Sequence, residues 1–124
     1  ASGSNGSGRR VALNANTKDY RYSQYLSDWR NKVERIGAMN YPEEARGRFF
    51  GSLVLSVALR PDGSVDRIMV VRSSGNKVLD DAAKRIVMMA SPFAPFPPDI
   101  RKETDYLDIT RTWNFTRGDA LETR

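Results

Sequence analysis

The sequence predicts an α+β domain: a three-stranded antiparallel sheet with helices packed on one face, plus an extra N-terminal helix. Three observations carry this expectation. Leu53 to Leu59, Val65 to Arg72 and Tyr106 to Phe115 alternate apolar and polar residues, or run rich in β-branched ones, with the period of a strand. Two other stretches, from Tyr22 and from Asn76, repeat apolar residues at steps of three and four, the period of a helix. Pro61-Asp62-Gly63-Ser64 lies between the first two strands as a turn, which makes them a hairpin.

Residues 1–19 open on Ala-Ser-Gly-Ser-Asn-Gly-Ser-Gly, the composition of a flexible linker, the stump of a longer tether, or a remnant of cloning. The domain proper is expected over residues 20–116. Its first element is a helix with Tyr22, Leu26, Trp29, Val33 and Ile36 on one face, stopping at Gly37 with Lys32 and Arg35 in the last turn. Asn40-Tyr41-Pro42-Glu43-Glu44-Ala45-Arg46-Gly47 follows as a very short helix, its carboxylates facing the positive end of the dipole.

After the hairpin, Asn76 caps a helix that presents Leu79, Ala83, Ile86 and Ala90 on one side until Pro92 stops it. Phe93 and Phe96 in the proline-rich connector are expected to plug the core. In the last strand Leu107, Ile109, Trp113 and Phe115 share one side, with Thr110, Thr112 and Asn114 on the other. Arg111 interrupts the apolar side and is expected to carry its guanidinium out to solvent at the sheet margin. Residues 117–124 are read as a polar, frayed tail.

Composition narrows the chemistry. With 124 residues, 40% of them hydrophobic, the chain holds one core and needs no disulfide or metal to stabilise it. It contains no Cys and no His, which excludes a thiolate nucleophile, a Cys-ligated zinc and a histidine acid or base. The formal charge of +5 permits an acidic partner, but the basic residues are scattered rather than clustered. No apolar run approaches the roughly 20 residues that span a bilayer.

None of the short motifs amounts to a catalytic or cofactor site. Gly3, Gly6 and Gly8 have no preceding strand and no following Lys-Ser/Thr, so they do not make a phosphate loop. Asp62, Gly63 and Asp66 lack the alternating acidic ligands of a calcium loop. Asp80 and Asp81 point in different directions from a helix and suit dipole stabilisation better than acid/base work. Ser73 and Ser74 have no activating base nearby in sequence. The chain is therefore expected to be a non-enzymatic binding domain without metal or cofactor. The open edge of its last strand is the natural place for a partner strand to add.

Several short motifs occur in a telling order: Asn40-Tyr41-Pro42, Gly51 opening a strand, Pro61-Asp62-Gly63-x-Val65, Val71-x-Ser73-Ser74-Gly75, and Leu79-Asp80-x-Ala82-Ala83. With Pro92-Phe93 and Phe96-Pro97, this order resembles the C-terminal domain of the TonB family, over about Tyr22 to Phe115. The resemblance implies a periplasmic domain of an energy transducer, tethered to the inner membrane in the full-length protein and working with ExbB and ExbD. No anchor or proline-rich spacer falls within these residues.

The resemblance further implies that outer-membrane transporters for siderophores and vitamin B12 present a short TonB-box peptide, which adds as a strand to the domain. Carried over, the partner-binding residues are Ala38, Met39, Asn40, Tyr41 and Pro42, with the edge formed by Leu107, Asp108, Ile109, Thr110, Arg111, Thr112, Trp113, Asn114 and Phe115. The same edge permits a strand-swapped homodimer. Alternatives are a TolA-like periplasmic binding domain, or a basic nucleic-acid-binding α/β domain in which Arg111, Trp113 and Phe115 form a stacking platform.

Overall fold

Among the described residues five strands, not three, build the sheet. The structure, a computed structural model, describes residues 8–124; the Gly/Ser stretch at residues 1–7, assigned above to a linker, lies outside them. The elements run β1 (Arg10–Leu13), α1 (Tyr20–Met39), a 3-10 turn (Glu43–Ala45), β2 (Gly51–Leu59), β3 (Val65–Arg72), α2 (Lys77–Ala90), α3 (Pro98–Arg101), β4 (Tyr106–Phe115) and β5 (Leu121–Thr123). The expected α+β class holds, with β2, β3 and β4 as the three antiparallel strands read from the sequence. The strand order is β1-β4-β2-β3, and β5 pairs with β4.

The period of two in β2 and β4 decides the two faces of the sheet. Leu53, Leu55, Val57 and Leu59 are buried on the same side as Leu107, Ile109, Trp113 and Phe115. Tyr25, Leu26, Trp29 and Val33 of α1 and Leu79, Ala83, Ile86 and Val87 of α2 join them in one core. Phe93 and Phe96 are buried in it as well, Phe96 edge-on to Tyr25 and Phe93 against Trp29. The opposite face carries small and polar side chains, with Ser52 Oγ bonded to Asn114 Oδ1 at 2.9 Å and Thr110 Oγ1 to Ser56 Oγ at 3.3 Å.

Several boundaries differ from the sequence reading, each for a physical reason. The helix does not stop at Gly37; α1 continues to Met39 and is capped by Asn40, whose amide donates to the Ile36 carbonyl. Gly37 is buried because β5 crosses it: a Cβ there would lie 2.6 Å from Leu121 Cδ2. The stretch assigned to a linker contains β1, and Asp19 caps α1 by accepting from the Arg21 amide.

Residues 117–124 are not frayed, since Leu121 and Thr123 are buried and pair with Phe115 and Trp113. Asp80 does more than face the dipole. It accepts from Ser73 Oγ and from the Ser74 amide and hydroxyl, which fixes the β3–α2 loop. Burial pushes its carboxyl up, yet these hydrogen bonds outweigh that and hold it below the ordinary range. Gly63, with φ +86°, closes the hairpin turn where a Cβ would strike the Phe93 carbonyl.

Candidate functional site

The site expected from the sequence joins two segments, and the fold brings them together at one end of β4. Tyr41 is buried, its ring meeting that of Phe115 edge-to-face at 5.8 Å. Pro42 is buried with it, while Ala38, Met39 and Asn40 are exposed at the end of α1. Arg46 lies over the Tyr41 ring, and Gly47 donates its amide to Asp119 in the β4–β5 turn. The Tyr41 hydroxyl is buried with no hydrogen-bond partner among the described residues. Burial pushes it above the usual tyrosine pKa. Beside Tyr41 and Pro42 runs a shallow groove of about 360 Å³, which Met39 and Met89 line.

The expected open edge is the point the structure corrects. β4 is an interior strand. On one side it pairs with β2 along its length, from Gly51↔Phe115 to Leu59↔Leu107. On the other side β1 runs parallel to it from Arg10↔Tyr106 to Leu13↔Ile109. β5 runs antiparallel from Trp113↔Thr123 to Phe115↔Leu121, and Thr112 exchanges hydrogen bonds of 2.7 and 2.9 Å with Arg124. Among the described residues, only Thr110 and Arg111 of β4 lack a partner on that side.

The side-chain roles follow from this placement. Leu107, Ile109, Trp113 and Phe115 are fully buried and cannot meet a partner; Trp113 and Phe115 therefore offer no surface for stacking nucleic-acid bases. Asp108, Thr110, Thr112 and Asn114 are half-buried on the opposite face, where Asp108 pairs with Arg10 at 2.8 Å. Arg111 is buried rather than at the margin, with Arg30 and Glu34 of α1 in its surroundings. Its Nε has no hydrogen-bond partner among the described residues. Desolvation holds its pKa below the ordinary guanidinium value, with nearby Arg30 acting in the same direction and Glu34 against it.

Among the described residues, β1 and β5 lie along one side of the sheet and β3 forms its other edge. Charged Asp66, Arg67 and Arg72, and a register irregularity near Val71, blunt that edge against pairing. Arg60 reinforces this by donating to the Val65 carbonyl and to Asp66. Among the described residues no cluster of His, Cys, Asp and Glu could hold a metal ion, and no helix is long and apolar enough to cross a membrane.

Sequence reasoning missed β1 and β5 because each is too short for its alternation to register. The signals were nonetheless present in Val11 and Leu13, and in Leu121 spaced two from Thr123.

Comparison with known proteins bears on the family and the fold. Residues 37–116 match the family described as Gram-negative bacterial TonB protein C-terminal. A solution NMR structure of the Helicobacter pylori TonB C-terminal domain is similar over 82% of this chain and 87% of its own, at 26% identity and a TM-score of 0.55. No curated protein matches the chain.

Proposed function

Since the chain belongs to the family of Gram-negative bacterial TonB protein C-terminal domains, we propose that it is the receptor-binding domain of a TonB-type energy transducer. It works in the periplasm, tethered to the inner membrane in the full-length protein. It docks the TonB box of outer-membrane transporters by strand addition to β4, and so couples the proton motive force gathered with ExbB and ExbD to import of siderophores and vitamin B12. The role is one of binding, without catalysis.

The observation that carries this reading is that β4 already accepts an added strand. β5, three residues long, occupies the half of β4 that adjoins Tyr41 and Pro42. A short extended peptide can take its place by backbone pairing, each net hydrogen bond contributing about 0.5–1.5 kcal/mol. Docking therefore requires β5 to leave, and the measured affinity is lowered by the fraction of molecules in which it remains. A strand-swapped dimer through β4 would require the same release.

The test is an NMR titration of the full chain with a TonB-box peptide. The amides of Leu107 to Phe115 and of Tyr41 should shift, and those of Leu121 to Thr123 should lose their paired-strand shifts. If the peptide moves none of these while a single-stranded oligonucleotide does, the reading is wrong.

A further inference from the structure

The place held by β5 is built to engage a strand on both of its edges. On the inner edge, Thr112 and Arg124 exchange backbone hydrogen bonds. On the outer edge, where a third strand would otherwise lie, α1 supplies side chains. Glu34 Oε2 accepts the Thr123 amide at 2.7 Å and the Thr123 hydroxyl at 2.7 Å. Arg30 Nη2 donates to the Thr123 carbonyl at 2.5 Å, and its Nε to the hydroxyl at 3.3 Å. The residue they read is 1% exposed. A carboxylate and a guanidinium one helical turn apart thus satisfy the donor and acceptor that a single strand residue turns outward, together with its hydroxyl.

Two further features shape the place. Gly37 opens room for an apolar side chain at the position of Leu121. Arg111, 7% exposed and with an unpartnered Nε, lies beside Arg30 and Glu34. By the register of β5, the position opposite Arg111 falls two residues beyond Thr123. A buried guanidinium with an unused donor is costly unless an acceptor reaches it.

We propose that Glu34, Arg30 and Arg111 determine which strand the domain accepts: one presenting an apolar residue over Gly37, then Ser or Thr two residues on, then a carboxylate after two more. β5 supplies the first two of these, in Leu121 and Thr123, and so acts as an internal imitation of the partner. An incoming strand with all three engages Arg111 as well as Glu34 and Arg30. The inference rests on strand addition to β4 and deepens it by naming the residues that choose the strand.

The test uses the chain carrying Leu121→Ala and Thr123→Val, which loosens its own strand and leaves the walls of the place intact. The probes are synthetic peptides of sequence Ala-Leu-Glu-Thr-Arg-Asp-Ala, with Thr replaced by Val or Asp by Asn in the controls. The parent peptide should bind about tenfold more tightly than either control, the expected scale for a hydrogen bond to a charged group. Glu34→Gln should erase the preference for Thr, and Arg111→Met the preference for Asp. Equal affinity across either pair overturns the proposal while leaving strand addition standing. If no peptide shifts the β4 amides, strand addition itself fails and this inference with it.

Discussion

Tyr41 meets Phe115 edge to face, with 5.8 Å between ring centroids and 73° between planes. This contact joins the Tyr-Pro segment to the end of β4, and both rings are almost wholly buried. The phenol hydroxyl contributes nothing to the joint, since it is buried without a partner among the described residues.

Tyr41→Phe is therefore expected to leave stability unchanged or raise it by up to about 1 kcal/mol, because an unpaired buried hydroxyl is removed. Tyr41→Ala, which also removes the ring, is expected to cost about 3–5 kcal/mol. Urea denaturation of the two variants checks this, and a large loss in Tyr41→Phe would reveal a hydrogen bond absent from the structure.

Gly37→Ala sets two effects against each other. Alanine favours the interior of α1 by about 1 kcal/mol over glycine. Its methyl, however, would sit 2.6 Å from Leu121 Cδ2 and push that side chain out. Faster hydrogen exchange at Thr112, whose amide donates to Arg124, should follow, with the β2–β4 ladder unchanged. On the proposed strand addition to β4, a TonB-box peptide should also bind more tightly, because the strand it displaces is weakened. Unaltered exchange at Thr112 would show that β5 docks without the close approach at Gly37.

Arg111→Met replaces a buried guanidinium by an apolar side chain of similar length. Removing a desolvated charge with an unpaired donor should stabilise the free domain by about 1–3 kcal/mol. The thermal midpoint should rise accordingly. A fall would mean that Glu34 compensates Arg111 more strongly than the geometry indicates.

The pairing of β1 should weaken in acid. Arg9 donates to Asp105 from its side chain and from its backbone amide, and these bonds hold the Asp105 carboxyl below the ordinary aspartate range. A carboxyl with a depressed folded pKa adds stability above its unfolded value, about 3.9 for Asp, and loses it as pH falls through the folded value. β1 amides should therefore stay protected near neutrality and open on acidification below about pH 4. Asp105→Asn should loosen them at neutral pH already. Full protection of β1 in that variant would assign its docking to Arg10 and Asp108 instead.

The parts legible in the sequence were those that repeat. β2 and β4 alternate over nine and ten residues, so their period of two stands out, β3 shows itself by its Val, Ile and Met after a turn, and both long helices announce themselves by spacing. β1 and β5, with four and three residues, have no period to read, and they exist because β4 offers them an edge. That dependence on tertiary context also explains Gly37 and Arg111. A glycine after an amphipathic run reads locally as a stop, and only the crossing of Leu121 shows that smallness is what the position needs. An arginine in an apolar row reads as a margin residue until the fold shows it buried near Arg30 and Glu34 of α1.

The parallel alignment of β1 on β4 has a mechanical consequence. Tension arriving along the chain from its N-terminal side enters the sheet through β1, whose axis lies along that of β4 from Arg10↔Tyr106 to Leu13↔Ile109. Such a load strains the bonds between the two strands together, in shear, instead of breaking them one after another as in peeling. The Arg9–Asp105 and Arg10–Asp108 pairs resist the same sliding. Force would thus reach β4, the strand proposed to receive the partner, through a single backbone ladder, without first passing through the helices.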